Sequence, residues 1–165
     1  MLFKTYLTRG QKAEDLMLEH MDLITGGSEG VFFQDVREDR YFQKIGIDIV
    51  VFKGNKILDT IDIKTIKNLF KLRKIKVILS NHYFDTGETK DGWGLYTQAH
   101  SIAFVDIDYR MMYKIEMSDI SKKLKDREFE LVEYQDGTER ITQYAEIKLD
   151  DIPHTTYDLG GNWLF

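Results

Sequence analysis

The sequence predicts a mixed α/β domain organised around one central sheet. Residues 8–24 carry apolar side chains at the three- to four-residue spacing of a helix. Two apolar runs, 47–52 and 57–66, flank Lys53-Gly54-Asn55-Lys56, a short insert of the kind that turns one strand back along another. Mostly strand-like segments follow, and this order of elements favours a mixed sheet with helices packed against it.

Length and composition predict a single domain covering residues 1–165. The chain has one proline and no cysteine, 42% of its residues are apolar and 31% are charged, and its net charge is −5. These values are typical of globular proteins, and the lack of cysteine excludes disulfides and thiolate zinc sites. No apolar run could span a bilayer, and the first residues lack the layout of a signal peptide. We therefore expect a cytoplasmic protein with no membrane contact.

Other cofactor and catalytic schemes find little support. Gly92-Trp93-Gly94 begins like a dinucleotide-binding loop, but Thr97 stands where the third glycine belongs. The four histidines show no paired zinc spacing, and no Gly-x-Ser-x-Gly elbow is present. We expect no organic cofactor.

The first helix is expected to begin at a capping box, Thr8-Arg9-Gly10-Gln11, and to run to about Ile24. On a helical wheel its buried stripe is apolar apart from one histidine, and Glu14 falls at the edge of that stripe. There its carboxylate can reach past the apolar layer towards a neighbouring sheet. The members of the stripe are Ala13, Met17, His20 and Ile24, flanked by Leu16 and Met21.

The remaining elements are predicted from alternation, turn residues and caps. Residues 31–36 form a strand, 37–40 a charged loop, and the hairpin described above comes next. The later segments are strands at 76–83, 101–107, 110–117, 129–134 and 140–149, and short helices at 93–100 and 118–127.

The hairpin carries charges where a buried strand normally carries aliphatic residues. Asp48 lies in its first strand, and Asp62 and Lys64 lie in its second. Because side chains alternate along a strand, Asp62 and Lys64 point one way while Ile61 and Ile63 point the other. Isolated charges in apolar strands are costly to desolvate, so the pattern indicates a cation or a solvated cleft beside them.

These residues resemble the PD-(D/E)XK nuclease superfamily. Its signature is an Asp followed, after a hairpin, by Asp or Glu, any residue, and Lys, which matches Asp48 and then Asp62-Ile63-Lys64; Ile47 stands in place of the Pro that names the motif. Gly10-Gln11-Lys12-Ala13-Glu14 is similar to the first helix of Holliday-junction-resolvase-like members, which supply an extra carboxylate there. Residues 91–106 are similar to small phage-type members. The resemblance is carried by residues 8–66 and implies a restriction-endonuclease-like fold, with a mixed central β-sheet flanked by helices.

The resemblance implies hydrolysis of DNA phosphodiester bonds with Mg²⁺, for which Mn²⁺ is the expected substitute. Such hydrolysis needs a cation to neutralise the developing negative charge and a positioned water as nucleophile. Mg²⁺ prefers oxygen ligands, and the resemblance assigns this role to Asp48, Asp62, the carbonyl of Ile63 and Glu14. Lys64 would hold the attacking water or compensate the charge on phosphorus, so the catalytic residues would be Asp48, Asp62, Lys64 and Glu14.

Each of these assignments has a structural alternative. The pattern of an acid, any residue, and Lys occurs three times in the chain, and only Asp62 has a partner acid in an adjacent apolar strand. Asp48 could instead cap a strand end or face the surface, and Asp62 with Lys64 could form a cross-strand surface ion pair on a half-exposed strand, which would add little stability. Glu14 could be favoured simply by the dipole of the helix.

Residues 64–76 form the most basic window of the chain, with no acidic residue among them. Next to a metal site, its cations could bind backbone phosphates without reading sequence, although such a run is equally often a solvated face. The nucleic-acid-binding candidates are Lys67, Lys71, Arg73 and Lys74. Gln43 and Thr65 are secondary candidates for phosphate or water contacts, and Trp93 and Tyr96 are better explained by core packing than by base stacking.

Two functions from different classes follow. The first is a divalent-metal-dependent DNA nuclease, with Holliday-junction-like cleavage as the more specific expectation and a homodimer if it cuts junctions, because junction-cutting members of the superfamily act as symmetric dimers. The second is a non-catalytic module that keeps the fold and binds nucleic acid or protein, such as a phage accessory factor. A phage-encoded protein would act in the host cytoplasm.

Overall fold

Three layers make up residues 2–160, the part of the chain that the computed structural model describes. The N-terminal helices, a six-stranded sheet and a four-stranded sheet lie on top of one another. The helices are α1 (Leu2–Glu19), α2 (Met21–Thr25), α3 (Arg40–Lys44), α4 (Leu69–Leu72), α5 (Trp93–Tyr96) and α6 (Met117–Lys125). The strands are β1 (Val31–Asp35), β2 (Ile49–Lys53), β3 (Lys56–Thr65), β4 (Lys74–Tyr83), β5 (Thr89–Asp91), β6 (Ser101–Asp106), β7 (Met111–Glu116), β8 (Glu130–Asp136), β9 (Arg140–Lys148) and β10 (Thr155–Asp158).

The six-stranded central sheet has the order β1-β2-β3-β6-β7-β10. Its strands β1, β2 and β3 are joined by antiparallel pairing, β3 pairs in parallel with β6, and β6, β7 and β10 are again antiparallel. The one parallel pair makes the sheet mixed, so the prediction of a mixed α/β fold with a mixed central sheet is confirmed. The predicted hairpin is confirmed as β2 and β3.

The two faces of the central sheet are covered by different layers. Apolar side chains of α1, among them Ala13 and Met17, pack on the face that carries Ile61 and Ile63 of β3. The opposite face packs against the four-stranded sheet, whose order is β5-β4-β9-β8. Strand alternation therefore places Asp62 and Lys64 on the side of the second sheet.

The second sheet differs from what the sequence predicts, which is a single sheet flanked by helices. Strand β4 pairs with β9, and the two lie far apart in the chain. Their inward residues, Ile75, Val77, Ala145 and Ile147, are buried against the central sheet. A strand covers an apolar sheet face as well as a helix does, and this long-range pairing has no local sequence signal.

Two glycines let α5 pack closely on β4. A Cβ on Gly92 would lie 2.2 Å from the carbonyl oxygen of Ile78, and one on Gly94 would lie 2.3 Å from Cγ1 of Val77. The Gly92-Trp93-Gly94 sequence is therefore explained by close packing rather than by a phosphate-binding loop.

Several element boundaries also differ from the prediction. Helix α1 begins at Leu2, so the proposed capping box at Thr8 is wrong: Thr8 lies inside the helix, where the backbone N–H groups already bond within the helix. The predicted single helix is broken at His20. The short elements α3, α4, β5 and β10 were not predicted, since each spans too few residues to show a period.

No helix within residues 2–160 has the length and hydropathy needed to cross a membrane.

Candidate functional site

Asp48 immediately precedes β2 and lies at the end of the central sheet where β3 and β6 terminate. We call this end of the sheet the Asp48 edge. Its Oδ2 accepts a hydrogen bond of 2.7 Å from the backbone N–H of Ile63. A backbone N–H of a strand lies in the plane of the sheet, so the carboxylate of Asp48 lies between the two faces. This contact is the one that the strand-cap alternative predicts, and it engages one of the two carboxylate oxygens.

Asp62 and Lys64 form an ion pair on the side of the second sheet. Lys64 Nζ lies 2.6 Å from Asp62 Oδ1, and it also lies 5.5 Å from the centre of the Trp93 ring. The exposed side-chain fraction is 2% for Asp62 and 25% for Lys64, so the pair is not the exposed one that the structural alternative describes. Trp93 is itself buried, which confirms core packing as its role.

The second oxygen of Asp62 is unusual. Oδ2 is buried and has no hydrogen-bond partner among the described residues. Burial raises the pKa of Asp62 to about 6, against the opposing charge of Lys64, and Asp48 raises the pKa further. The carboxylates of Asp48 and Asp62 are close enough to share a hydrogen bond when Asp62 is protonated. The pair is thus a buried acidic site that a proton or a cation would stabilise.

Gly46 and Thr97 form the wall beside this oxygen. Thr97 Oγ1 donates a hydrogen bond of 3.0 Å to the carbonyl of Gly46. A Cβ on Gly46 would lie 2.8 Å from Thr97 Oγ1 and 3.3 Å from Asp62 Oδ2, and Gly46 has a φ of +68°. The absence of a side chain at Gly46 therefore leaves the space beside Asp62.

We expect Gly46→Ala to destabilise the protein by about 2–4 kcal/mol, because it adds a clash with Thr97 to the cost of a left-handed backbone. The matched control is Gly30→Ala, since Gly30 has a φ of +75° and a Cβ there would meet nothing within 4 Å. Urea unfolding of the two variants separates the two costs. If both variants lose the same free energy of unfolding, the Thr97 side chain moves aside without an energetic cost.

Glu14 lies on the other side of the sheet from Asp62, on α1. Arg37 NH1 lies 2.9 Å from Glu14 Oε2, and the Glu14 side chain is 28% exposed. Burial raises the pKa of Glu14; the hydrogen bond from Arg37 opposes this shift, and the charge of Asp48 adds to it. Asp48 thus raises the pKa values of both Glu14 and Asp62, which lie on opposite sides of the sheet.

The donor set suits a divalent cation in part. Asp48 and Asp62 lie side by side, one buried oxygen of Asp62 has no hydrogen-bond partner in the described part of the chain, and carboxylate oxygens are the ligands that Mg²⁺ prefers. Within residues 2–160, however, no three His, Cys, Asp or Glu side chains lie close enough together to hold a metal ion. The arrangement fits a site of two carboxylates, and Glu14 is bound to Arg37 instead.

Three of the four phosphate-binding candidates in the basic window, residues 64–76, already have partners within the protein. Arg73 pairs with Asp150, Lys74 pairs with Glu146, and Lys71 Nζ lies 5.4 Å from the centre of the Tyr109 ring. Lys67 is exposed just beyond the end of β3. Of the four predicted phosphate-binding cations, Lys67 is therefore the one that forms no ion pair or ring contact with another residue of the described part of the chain.

The two secondary candidates, Gln43 and Thr65, differ in their surroundings. Gln43 Nε2 donates a hydrogen bond of 2.6 Å to the carbonyl of Arg37, and Thr65 is exposed at the end of β3. Tyr96 is 44% exposed, so the prediction that it packs in the core is wrong.

Two features of the site were not predicted from the sequence. Arg37 was assigned to a charged loop, and the Gly46–Thr97 contact joins residues that no motif connects. The sequence Asp35-Val36-Arg37, at the end of β1, could have indicated an acid–arginine pair, but charged loops are common and carry no period.

Comparisons of the chain with protein-family models, with curated proteins and with solved structures find no match in any of the three.

Proposed function

We propose that this protein is a divalent-metal-dependent nuclease that hydrolyses DNA phosphodiester bonds, as a PD-(D/E)XK-type enzyme with a restriction-endonuclease-like fold. One observation carries the proposal: the carboxylates of Asp48 and Asp62 adjoin each other at a sheet edge, with the Lys64 ammonium 2.6 Å from Asp62. Cleavage of a branched, Holliday-junction-like substrate by a homodimer in the cytoplasm is the more specific form of the proposal.

The order of the site residues along the fold supports this proposal. An acid lies on the first helix, an Asp at the start of the first hairpin strand, and Asp-x-Lys in the second hairpin strand. These are the positions at which the superfamily signature places its functional groups. The other two acid-x-Lys pairs lie elsewhere: Glu88 and Lys90 are exposed, and Glu146 pairs with Lys74.

Each residue has a defined part in this chemistry. Mg²⁺, held by Asp48, Asp62 and the carbonyl of Ile63, would neutralise charge on the phosphate and lower the pKa of a nucleophilic water. Asp62 must release its proton for this, which its raised pKa of about 6 permits at neutral pH. A lysine ammonium has three donors, and the contact with Asp62 uses one. The other two remain for the attacking water or a phosphate oxygen.

A non-catalytic module that binds nucleic acid or protein is the second candidate. It is favoured by the state of the acidic groups, since Asp62 is closed to solvent and Glu14 is neutralised by Arg37. In such a module the ion pairs would be structural, and no cation would be required.

Cleavage assays separate the two candidates. The protein is incubated with supercoiled, linear and branched DNA, with Mg²⁺, with Mn²⁺ or with EDTA, and the products are resolved on gels. We expect cleavage that requires the cation and falls steeply as salt is raised, because phosphate contacts are screened. Failure to cut any of the three substrates with either metal would exclude the nuclease and leave the binding module.

A further inference from the structure

Strand β1 is an outer strand of the central sheet, and one of its two sides has no strand partner. The N–H of Val36 donates to the carbonyl of Asp48, so Val36 and every second residue before it form the hydrogen bonds to β2. The N–H and C=O groups of Phe33 and Asp35 therefore point away from the sheet. No strand within residues 2–160 pairs with this free side of β1.

Exposed apolar side chains flank the free side of β1 on both faces of the sheet. On the face that carries α1 and α2, Phe33 is 39% exposed and Leu23 of α2 is 50% exposed. On the other face, Phe32 is 54% exposed and lies opposite Phe52 of β2, which in turn lies opposite Ile57 of β3. Exposed outer strands are usually protected by lysine, proline or a bulge, and β1 has none of these. Its free side is therefore suited to pairing with another strand.

A second copy of the chain fits this free side in one register. When two β1 strands pair antiparallel about a two-fold axis at Phe33, the two Phe33 residues exchange both backbone hydrogen bonds. The N–H of Asp35 in each copy then faces the C=O of Val31 in the other, and both of these groups point outward. The N–H of Val31 needs no partner, because it already donates to the carbonyl of Ser28. The two Phe33 rings lie opposite each other on one face, and the two Phe32 rings are diagonal neighbours on the other.

The charges along the strands favour such pairing at β1 and oppose it at β8, an outer strand of the second sheet. In the register just described, the two Asp35 residues stand at opposite ends of the pair, about 13 Å apart. Each is also neutralised by Arg37, whose NH2 group lies 2.8 Å from its carboxylate. The equivalent pairing of β8 about its middle residue would place Glu133 opposite Glu133 and Glu130 opposite Asp136. Like charges directly opposite each other destabilise a sheet, so of these two strands β1 is the one that suits a copy of itself.

We propose that this protein forms a homodimer in which two copies of β1 pair antiparallel about Phe33, joining two six-stranded sheets into one continuous sheet. This gives the homodimer of the proposed function a defined interface. The Asp48 edge takes no part in the pairing, because it lies at the ends of β3 and β6 rather than along the side of the sheet. The dimer is therefore expected whether or not the protein cuts DNA.

Sedimentation velocity over a range of protein concentrations tests the interface. One chain has a mass of 19.4 kDa, and we expect the wild type to sediment with twice this mass. Phe33→Lys should dissociate the dimer into monomers, because it places two ammonium groups opposite each other. The matched control is Tyr134→Lys, the same change at an aromatic residue of β8 that is 55% exposed, which should leave the dimer intact. A wild type of any other mass, a Phe33→Lys variant that stays dimeric, or a Tyr134→Lys variant that dissociates would overturn this interface and leave the nuclease proposal intact.

Two further variants at the same position test the register. A mixture of Phe33→Lys with Phe33→Glu should form dimers that neither variant forms alone, since opposite charges then face each other. Phe33→Cys introduces no charge and creates the only cysteine of the chain. The Cα atoms of a hydrogen-bonded antiparallel pair lie about 5.5 Å apart, which permits a disulfide. We expect mild oxidation to cross-link Phe33→Cys into dimers but not Tyr134→Cys. A mixture that stays monomeric, or equal cross-linking of the two cysteine variants, would overturn the register, and the cysteine test decides if Phe33→Lys does not fold. A dimeric wild type that cuts no DNA would overturn only the nuclease.

Discussion

Lys64→Ala is expected to reduce metal-dependent DNA cleavage by about 10²–10⁴-fold, the loss typical of a group that holds the attacking water or stabilises developing charge. The affinity for DNA should fall only slightly, because a single lysine can supply no more than one phosphate contact. Single-turnover cleavage and fluorescence anisotropy measure the two effects separately. Retention of wild-type cleavage by Lys64→Ala would remove Lys64 from the mechanism.

The matched control for this variant is Lys90→Ala. Lys90 also follows an acid by two residues, but it and Glu88 are each 58% exposed, and their charged atoms lie 3.6 Å apart. The same substitution there should leave cleavage unchanged. Comparable losses in both variants would indicate a general effect of net charge rather than a defined role for Lys64.

Asp62→Asn should have opposite effects on activity and on stability. It should reduce metal-dependent cleavage by more than about 100-fold, because it removes a ligand charge. In EDTA at pH 8, however, it should raise the free energy of unfolding by up to about 3 kcal/mol, since one pKa unit corresponds to about 1.4 kcal/mol. The reason is that the wild type must hold a buried carboxylate whose pKa is raised from 3.8 to about 6.

The sign of the pH dependence follows from the two pKa values. Between pH 3.8 and about 6 the folded state keeps the Asp62 proton and the unfolded state has lost it. The unfolded state therefore binds fewer protons, and stability falls as pH rises through this window. The gain from Asp62→Asn should consequently be absent near pH 4 and complete above pH 7.

Urea unfolding from pH 4 to 8 measures this dependence, and Asp59→Asn is the control on the same strand. Asp59 accepts hydrogen bonds from Ser101 and pairs with Lys114 at 2.6 Å, so its loss should destabilise the protein. An Asp62→Asn variant that is less stable than wild type at pH 8 would contradict this expectation. It would show that the charged Asp62 carboxylate stabilises the folded protein despite its burial.

The sequence predicted the parts of the fold that depend on local pattern. Alternation along β3 correctly placed Asp62 and Lys64 on one face and Ile61 and Ile63 on the other, because a buried strand enforces that period. The helical period likewise placed Glu14 correctly at the edge of the buried stripe of α1.

The parts that were missed depend on contacts between distant residues. The pairing of β4 with β9 and the contact of Thr97 with Gly46 join segments that share no local signal. The same holds for the position of Glu14, because a helical wheel gives its direction but not the layer on which the helix packs. Whether Asp48, Asp62, Ile63 and Glu14 together bind a cation stays a prediction.

The second sheet, which covers Lys64, can form only when residues from distant parts of the chain are both present. Strand β4 precedes β6, whereas its partner β9 follows β7, so Lys74 meets Lys148 only when most of the polypeptide is present. Closing such a large loop is entropically unfavourable until the full interface forms. We therefore expect the second sheet to form late in folding and as one cooperative unit. A chain shortened before β9 would keep every proposed ligand but would lose the sheet that covers Asp62 and Lys64.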